Sequence, residues 1–189
     1  MSMSERRVLA PAFTLILLGT LGACATSVSK APPSIPAPAL GRLACNAEVT
    51  AWDLSIGPDG AGLPVGSGTA RQGARVYLAK CLACHGDKGA GQPADALVGG
   101  IGSLGTAKPV RTVGSYWPYA TTLFDYVRRA MPINNPTSLS NDEVYAVSAY
   151  ILFQNGIVSE DLAMTATSLP RVDMPNRNGF INAWTPKLP

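Results

Sequence analysis

With 189 residues, 47% of them apolar and 14% charged, the chain is long enough for one domain with a buried core, and 19 glycines with 16 prolines predict much loop. A net charge of +3 supplies no basic footprint for nucleic acid, so that class of partner is excluded.

Arg6 and Arg7 precede an apolar stretch, Val8 to Leu21, that is interrupted by Pro11 and Gly19. It is too short and broken for a comfortable membrane span and reads as an export signal. It ends in Leu21-Gly22-Ala23-Cys24, which resembles the bacterial lipobox, whose cysteine is lipidated and becomes the first mature residue. The alternative is an ordinary signal peptide cut nearby, with Cys24 incidental. Residues 1–23 are therefore expected as a leader. Residues 24–44 are expected as a tether, because Pro32, Pro33, Pro36 and Pro38 stand among Ala and Ser and favour extended chain. Lipid chains on Cys24 would hold the protein at the periplasmic face of a membrane.

Residues 45–68 form a lead-in, followed by a helix expected over Thr69 to Cys84 with apolar Ala70, Ala74, Tyr77, Leu78 and Cys81. Gly73, four residues before Tyr77, would let another helix approach closely. Residues 86–119 carry many Gly and Pro and read as loop wrapped around something. Thr121 to Ala130 reads as a short helix with Leu123, Phe124 and Val127 on its apolar face and Arg128-Arg129 suited to its C-terminal dipole. Ser140 at the N-cap with Glu143 at the third helical position predicts a capping box opening a last helix, Val144 to Phe153, that is apolar nearly all round. Gly156 supplies its stop. From Ser159 the pattern fades, and 159–189 reads as an extended C-terminal tail.

The chemistry lies in Cys81-Leu82-Ala83-Cys84-His85. Attachment of haem c needs two thiols to add across the vinyl groups and an imidazole that reaches the iron, and Cys-x-x-Cys-His supplies both. A zinc site would need further Cys or His ligands, and His85 is the chain's one histidine. A redox dithiol of the thioredoxin kind would need an α/β pattern, which is absent. Cys45 is left over and is assigned no function.

A single histidine excludes bis-histidine ligation, so a second axial ligand is a methionine, another side chain, or nothing. After the leader the methionines are Met131, Met164 and Met174. Met131 is favoured: it follows the short helix, precedes Pro132, and stands 46 residues beyond His85, enough chain to pass round a haem edge. Met174 is the runner-up. A thioether ligand stabilises ferrous iron and suits electron transfer. A backbone carbonyl near Pro93 could accept the His85 Nδ1 proton. Tyr116, Trp117 and Tyr119 could line a haem pocket, although plain core packing explains them equally well.

The motif-bearing helix, the Met131-Pro132 loop and the apolar last helix together resemble the class I cytochromes c. That resemblance implies an all-α domain over 69–158 wrapped around one covalent haem, with its first and last helices crossing near Gly73, Tyr77 and Tyr150. A closer resemblance rests on Ala51-Trp52-Asp53, Pro58-Asp59-Gly60, Gly62-Leu63-Pro64, Gly66-Ser67-Gly68, the run from Thr112 to Thr122, Arg129-Ala130-Met131-Pro132, Asp142 to Ala146, and Met174 to Phe180. It is to the cytochrome subunits of periplasmic molybdenum sulfite dehydrogenases and of sulfane dehydrogenase. This implies electron transfer from a molybdenum subunit to another cytochrome or a terminal oxidase. Nothing in the sequence supplies a substrate pocket of its own, so sulfur chemistry by this chain alone is not expected. The alternatives are a general periplasmic electron carrier, a haem enzyme or gas sensor with open iron, and a lipoprotein without cofactor.

Overall fold

A computed structural model of the protein describes residues 40–181 and 183. The leader, Cys24 and most of the Pro/Ala-rich tether lie outside the described residues. The chain divides into two units, Met1–Arg42 and Leu43–Pro189. Of the first, residues 40–42 are described and are exposed.

The described residues carry α1 (Asn46–Trp52), β1 (Ser67–Gly68), α2 (Ala70–Lys80), α3 (Leu82–His85), α4 (Val113–Tyr116), α5 (Ala120–Ala130), α6 (Asn141–Gln154) and β2 (Met164–Thr165). Short 3-10 turns follow at Asp87–Gly89 and Leu169–Arg171. The architecture is mostly helical, as the apolar periodicity and the family resemblance both imply.

The centre is α6. Its N-terminus is fixed reciprocally: the Ser140 N–H donates to Glu143 Oε2 at 2.8 Å and the Glu143 N–H donates to Ser140 Oγ at 3.3 Å. Val144 through Ala149, with Ile151 and Leu152, are all buried, so this helix presents no solvent stripe over its middle turns. Fully burying each of its Val, Ile and Leu side chains contributes roughly 1.5–3 kcal/mol. From α5, Leu123, Phe124 and Val127 pack into the same core, with the Phe124 and Tyr145 rings 4.4 Å apart.

α2 crosses α6 at close quarters. Thr69 caps it, accepting from the Gln72 N–H at 3.3 Å while its own N–H donates to Gln72 Oε1 at 2.8 Å. Its buried residues are Ala70, Gly73 and Tyr77, a stripe spaced by three and four. Leu78, expected on the apolar face, is 67% exposed, because it lies a quarter-turn beyond Tyr77. The single helix expected from Thr69 to Cys84 is interrupted at Cys81, whose φ of −122° takes it out of the helical region and separates α3 from α2.

Two stretches read as irregular have defined roles. β1 pairs antiparallel with β2, Ser67 opposite Thr165 and Gly68 opposite Met164. Residues 159–174 are no loose tail: Met164, Leu169, Val172 and Met174 are buried in the core. Beyond them the chain returns to the surface, with Phe180 and Ile181 exposed. α1, inside the lead-in, buries none of its residues.

Candidate haem site

α3 is one turn of helix, and it carries the motif. The Cys84 and His85 N–H groups both donate to the Cys81 carbonyl, at 3.1 and 2.9 Å. Cys81 is half-buried at the edge of the core and Cys84 is exposed. As a free thiol Cys81 has its pKa pushed up to about 11, by burial first and then by neighbouring Cys84. The spacing places two thiols one turn apart, with the imidazole on the next residue.

The imidazole is held from one side. His85 Nδ1 lies 2.9 Å from the Asp95 carbonyl oxygen. A carbonyl only accepts, so Nδ1 carries the proton and the Nε2 lone pair is left for an electrophile such as iron. The accepting carbonyl belongs to Asp95 rather than to Pro93, which is exposed two residues earlier. The loop that delivers it folds back on the motif itself: the Gly91 N–H donates to the His85 carbonyl and the Ala94 N–H to the Cys84 carbonyl, both at 2.8 Å. Tyr77 secures the start of that loop, its hydroxyl donating to the Gly86 carbonyl at 2.9 Å.

The three methionines separate by environment. Met164 and Met174 are fully buried core residues. Met131 is half-buried on the core's edge, where it ends α5 in extended conformation with its N–H on the Val127 carbonyl at 3.1 Å. Cys81, Leu82, Leu97 and Trp117 are likewise half-buried against the core.

The aromatic candidates have protein partners. Trp117 meets Tyr126 edge-on with ring centres 5.7 Å apart. Tyr116 meets Phe180 edge-on at 5.2 Å and lies beneath the Arg111 guanidinium at 5.5 Å. Its carbonyl also accepts from Asn176 Nδ2 at 2.7 Å, so Tyr116 fastens the C-terminal segment. Tyr119 lies beneath Arg177 at 5.3 Å.

Sequence reasoning missed Asp95, since a backbone acceptor leaves no side-chain signal. It also missed buried Asn155, whose polar type near the end of an apolar helix was a usable cue. Cys45, left over by the motif, is exposed. Among the described residues no helix is long and apolar enough to cross a membrane.

The donor set fits haem c: two cysteines on one turn, an imidazole with Nε2 unspent, and a half-buried thioether on an apolar rim. Residues 68–151 match the family described as "Cytochrome C oxidase, cbb3-type, subunit III". A solved structure titled the sulfane dehydrogenase SoxCD from Paracoccus pantotrophus contains a chain 42% identical to this one, with a TM-score of 0.72. The match covers 77% of this chain and 72% of that one. No curated protein matches. The cytochrome c fold implies covalent haem and electron transfer, and at this identity over most of both chains the family is shown: the chain belongs to the class I c-type cytochromes and resembles the sulfane dehydrogenase chain.

Proposed function

We propose that this protein is a monohaem electron-transfer cytochrome serving a molybdenum-containing sulfite or sulfur-compound dehydrogenase. Cys81 and Cys84 would hold the haem through thioether bonds, each thiol adding its S–H across a vinyl group. His85 Nε2 and Met131 Sδ would be the protein ligands of the iron, which would supply the one-electron chemistry. The observation that carries the reading is the bond from His85 Nδ1 to the Asp95 carbonyl, which fixes the tautomer an iron ligand needs and makes Nε2 more basic. Met131 is preferred to Met174 because it alone of the three is not buried in packing. Electrons would enter from the molybdenum subunit and leave to another cytochrome or a terminal oxidase. The 42% identity to a chain of a sulfane dehydrogenase structure supports that donor. On this reading the protein works in the periplasm, tethered through lipid on Cys24 after removal of residues 1–23, with 24–44 as the tether and 45–68 as a lead-in to the haem domain at 69–158.

Periplasmic expression followed by a pyridine haemochrome assay should give one thioether haem per chain; its absence overturns the cofactor assignment. Affinity purification from the native host should bring down a molybdenum-containing subunit, and a cytochrome recovered without one would sink the proposed donor. Labelled fatty acid should be incorporated into the wild type and not into Cys24→Ala.

A further inference from the structure

We propose that Asn155 is a positioning residue for the His85 imidazole, acting through the segment from Asp95 to Gly99; the inference rests on the reading of His85 as the iron ligand. Asn155 is buried just beyond the last turn of α6. Its Nδ2 donates to the Ile151 carbonyl at 2.9 Å and to the Leu97 carbonyl at 3.2 Å, and its Oδ1 accepts from the Gly99 N–H at 3.1 Å. One amide therefore ties the end of the central helix to two points of the loop. Gly114 on α4 leaves the room for it, because a Cβ there would collide with the Asn155 side chain.

The tie bears on the ligand through a short span of chain. The Asp95 carbonyl that accepts from His85 lies between two anchored residues. On one side the Ala94 N–H is held by the Cys84 carbonyl at 2.8 Å. On the other, two residues on, Leu97 donates to the Gly89 carbonyl at 2.8 Å and accepts from Asn155 and from the Val113 N–H at 3.3 Å. Thr112 adds a separate clasp, its Oγ1 donating to the Gly99 carbonyl at 2.6 Å. Removing the Asn155 amide leaves the Gly99 N–H without its acceptor and deprives the Leu97 carbonyl of one of its two donors. The loop then relaxes and the Nδ1–H···O bond lengthens. A weaker bond makes Nε2 less basic, so it stabilises ferric iron less and the reduction potential rises.

The test uses the full, haem-loaded protein. Its first step is the NMR spectrum of the reduced wild type. Ring-current-shifted His85 resonances establish ligation independently of Asn155, and their absence would fault the ligand reading alone. Asn155→Ala should keep a low-spin spectrum, exchange the His85 Nδ1 proton about tenfold faster, as expected for loss of a buried hydrogen bond, and shift the midpoint potential upward. Thr112→Val should move both readouts in the same direction by less, and it carries the test if Asn155→Ala does not accumulate. Leu169→Ala removes core packing outside the loop; it should lower stability and leave exchange and potential unchanged. Wild-type exchange and potential in the folded loop variants, or equal shifts in Leu169→Ala, would overturn the proposal.

Discussion

Gly73 on α2 lies directly against the carbonyl of Ala146 on α6, so the two helices meet backbone to backbone. A Cβ at residue 73 would fall within the Ala146 carbonyl group and also press on the Tyr150 Cβ, 2.8 Å away. The Tyr77 and Tyr150 rings, 5.0 Å apart, close the same crossing one turn further on. Gly73→Ala should therefore destabilise the haem-loaded protein by about 1–3 kcal/mol through overpacking. Gly105→Ala is the control: nothing lies within 4 Å of a Cβ there, and its change should stay within about 0.5 kcal/mol. Denaturant unfolding of both variants checks the pair.

Room for a close helix approach was legible at Gly73, and the all-round apolar last helix at 144–153; that these two helices cross near Gly73, Tyr77 and Tyr150 came from the family resemblance. Legible too were the Ser140–Glu143 cap and the α5 face, where spacing alone selects the buried side. The β1–β2 ladder was not legible: two residues per strand show no alternation, and their pairing spans nearly a hundred residues. α1 escaped notice because a helix that buries nothing has no apolar stripe to read. At the candidate site the motif announces Cys81, Cys84 and His85, but the loop's support comes from a backbone carbonyl at Asp95 and a side chain at Asn155, both non-local. Burial of Met164 and Met174 likewise follows from the chain after α6 returning to the core, which a fading periodicity conceals.

Asp125 joins the lead-in to α5. Its Oδ1 accepts from the Ile56 N–H at 3.2 Å and from Arg129 Nε at 3.0 Å, and its Oδ2 accepts from the same guanidinium. Asp125→Ala should cost about 1–3 kcal/mol, since a part-buried N–H loses its acceptor. Arg129→Ala, which removes the half-exposed partner, should cost no more than about 1 kcal/mol. Amide exchange at Ile56 distinguishes the two: faster in the Asp125 variant, near wild type in the Arg129 variant.

Tyr77 couples stability to alkaline pH. Burial, ahead of its charged neighbours, pushes its phenol up to about 12 from an ordinary value near 10. Between those values the unfolded chain releases this proton and the folded one keeps it. Its contribution is therefore complete below pH 10 and is lost as pH rises toward 12. Tyr77→Phe should be less stable at neutral pH by about 1 kcal/mol, for want of the bond to the Gly86 carbonyl. Its stability should also fall less steeply from pH 10 to 12. Some slope remains, because burial raises Tyr145 and Tyr150 as well. Unfolding midpoints across that range, compared between wild type and variant, give the answer.

The two leading methionines should separate by what each loses. Met174 is 2% exposed within the core, so Met174→Ala opens a cavity and should cost about 2–5 kcal/mol while leaving the haem spectrum low-spin. Met131 stands half-buried at the end of α5, with less packing to lose. On the proposed ligation, Met131→Ala opens an iron coordination position: the haem should turn high-spin, bind carbon monoxide readily, and lose the stabilisation that sulfur gives the ferrous state, so its potential falls. Spectra and unfolding curves on the same two preparations decide the matter. An unchanged spectrum in Met131→Ala, with low-spin character lost in Met174→Ala, would transfer the ligand role to Met174 and require the C-terminal segment to leave the core when haem is attached.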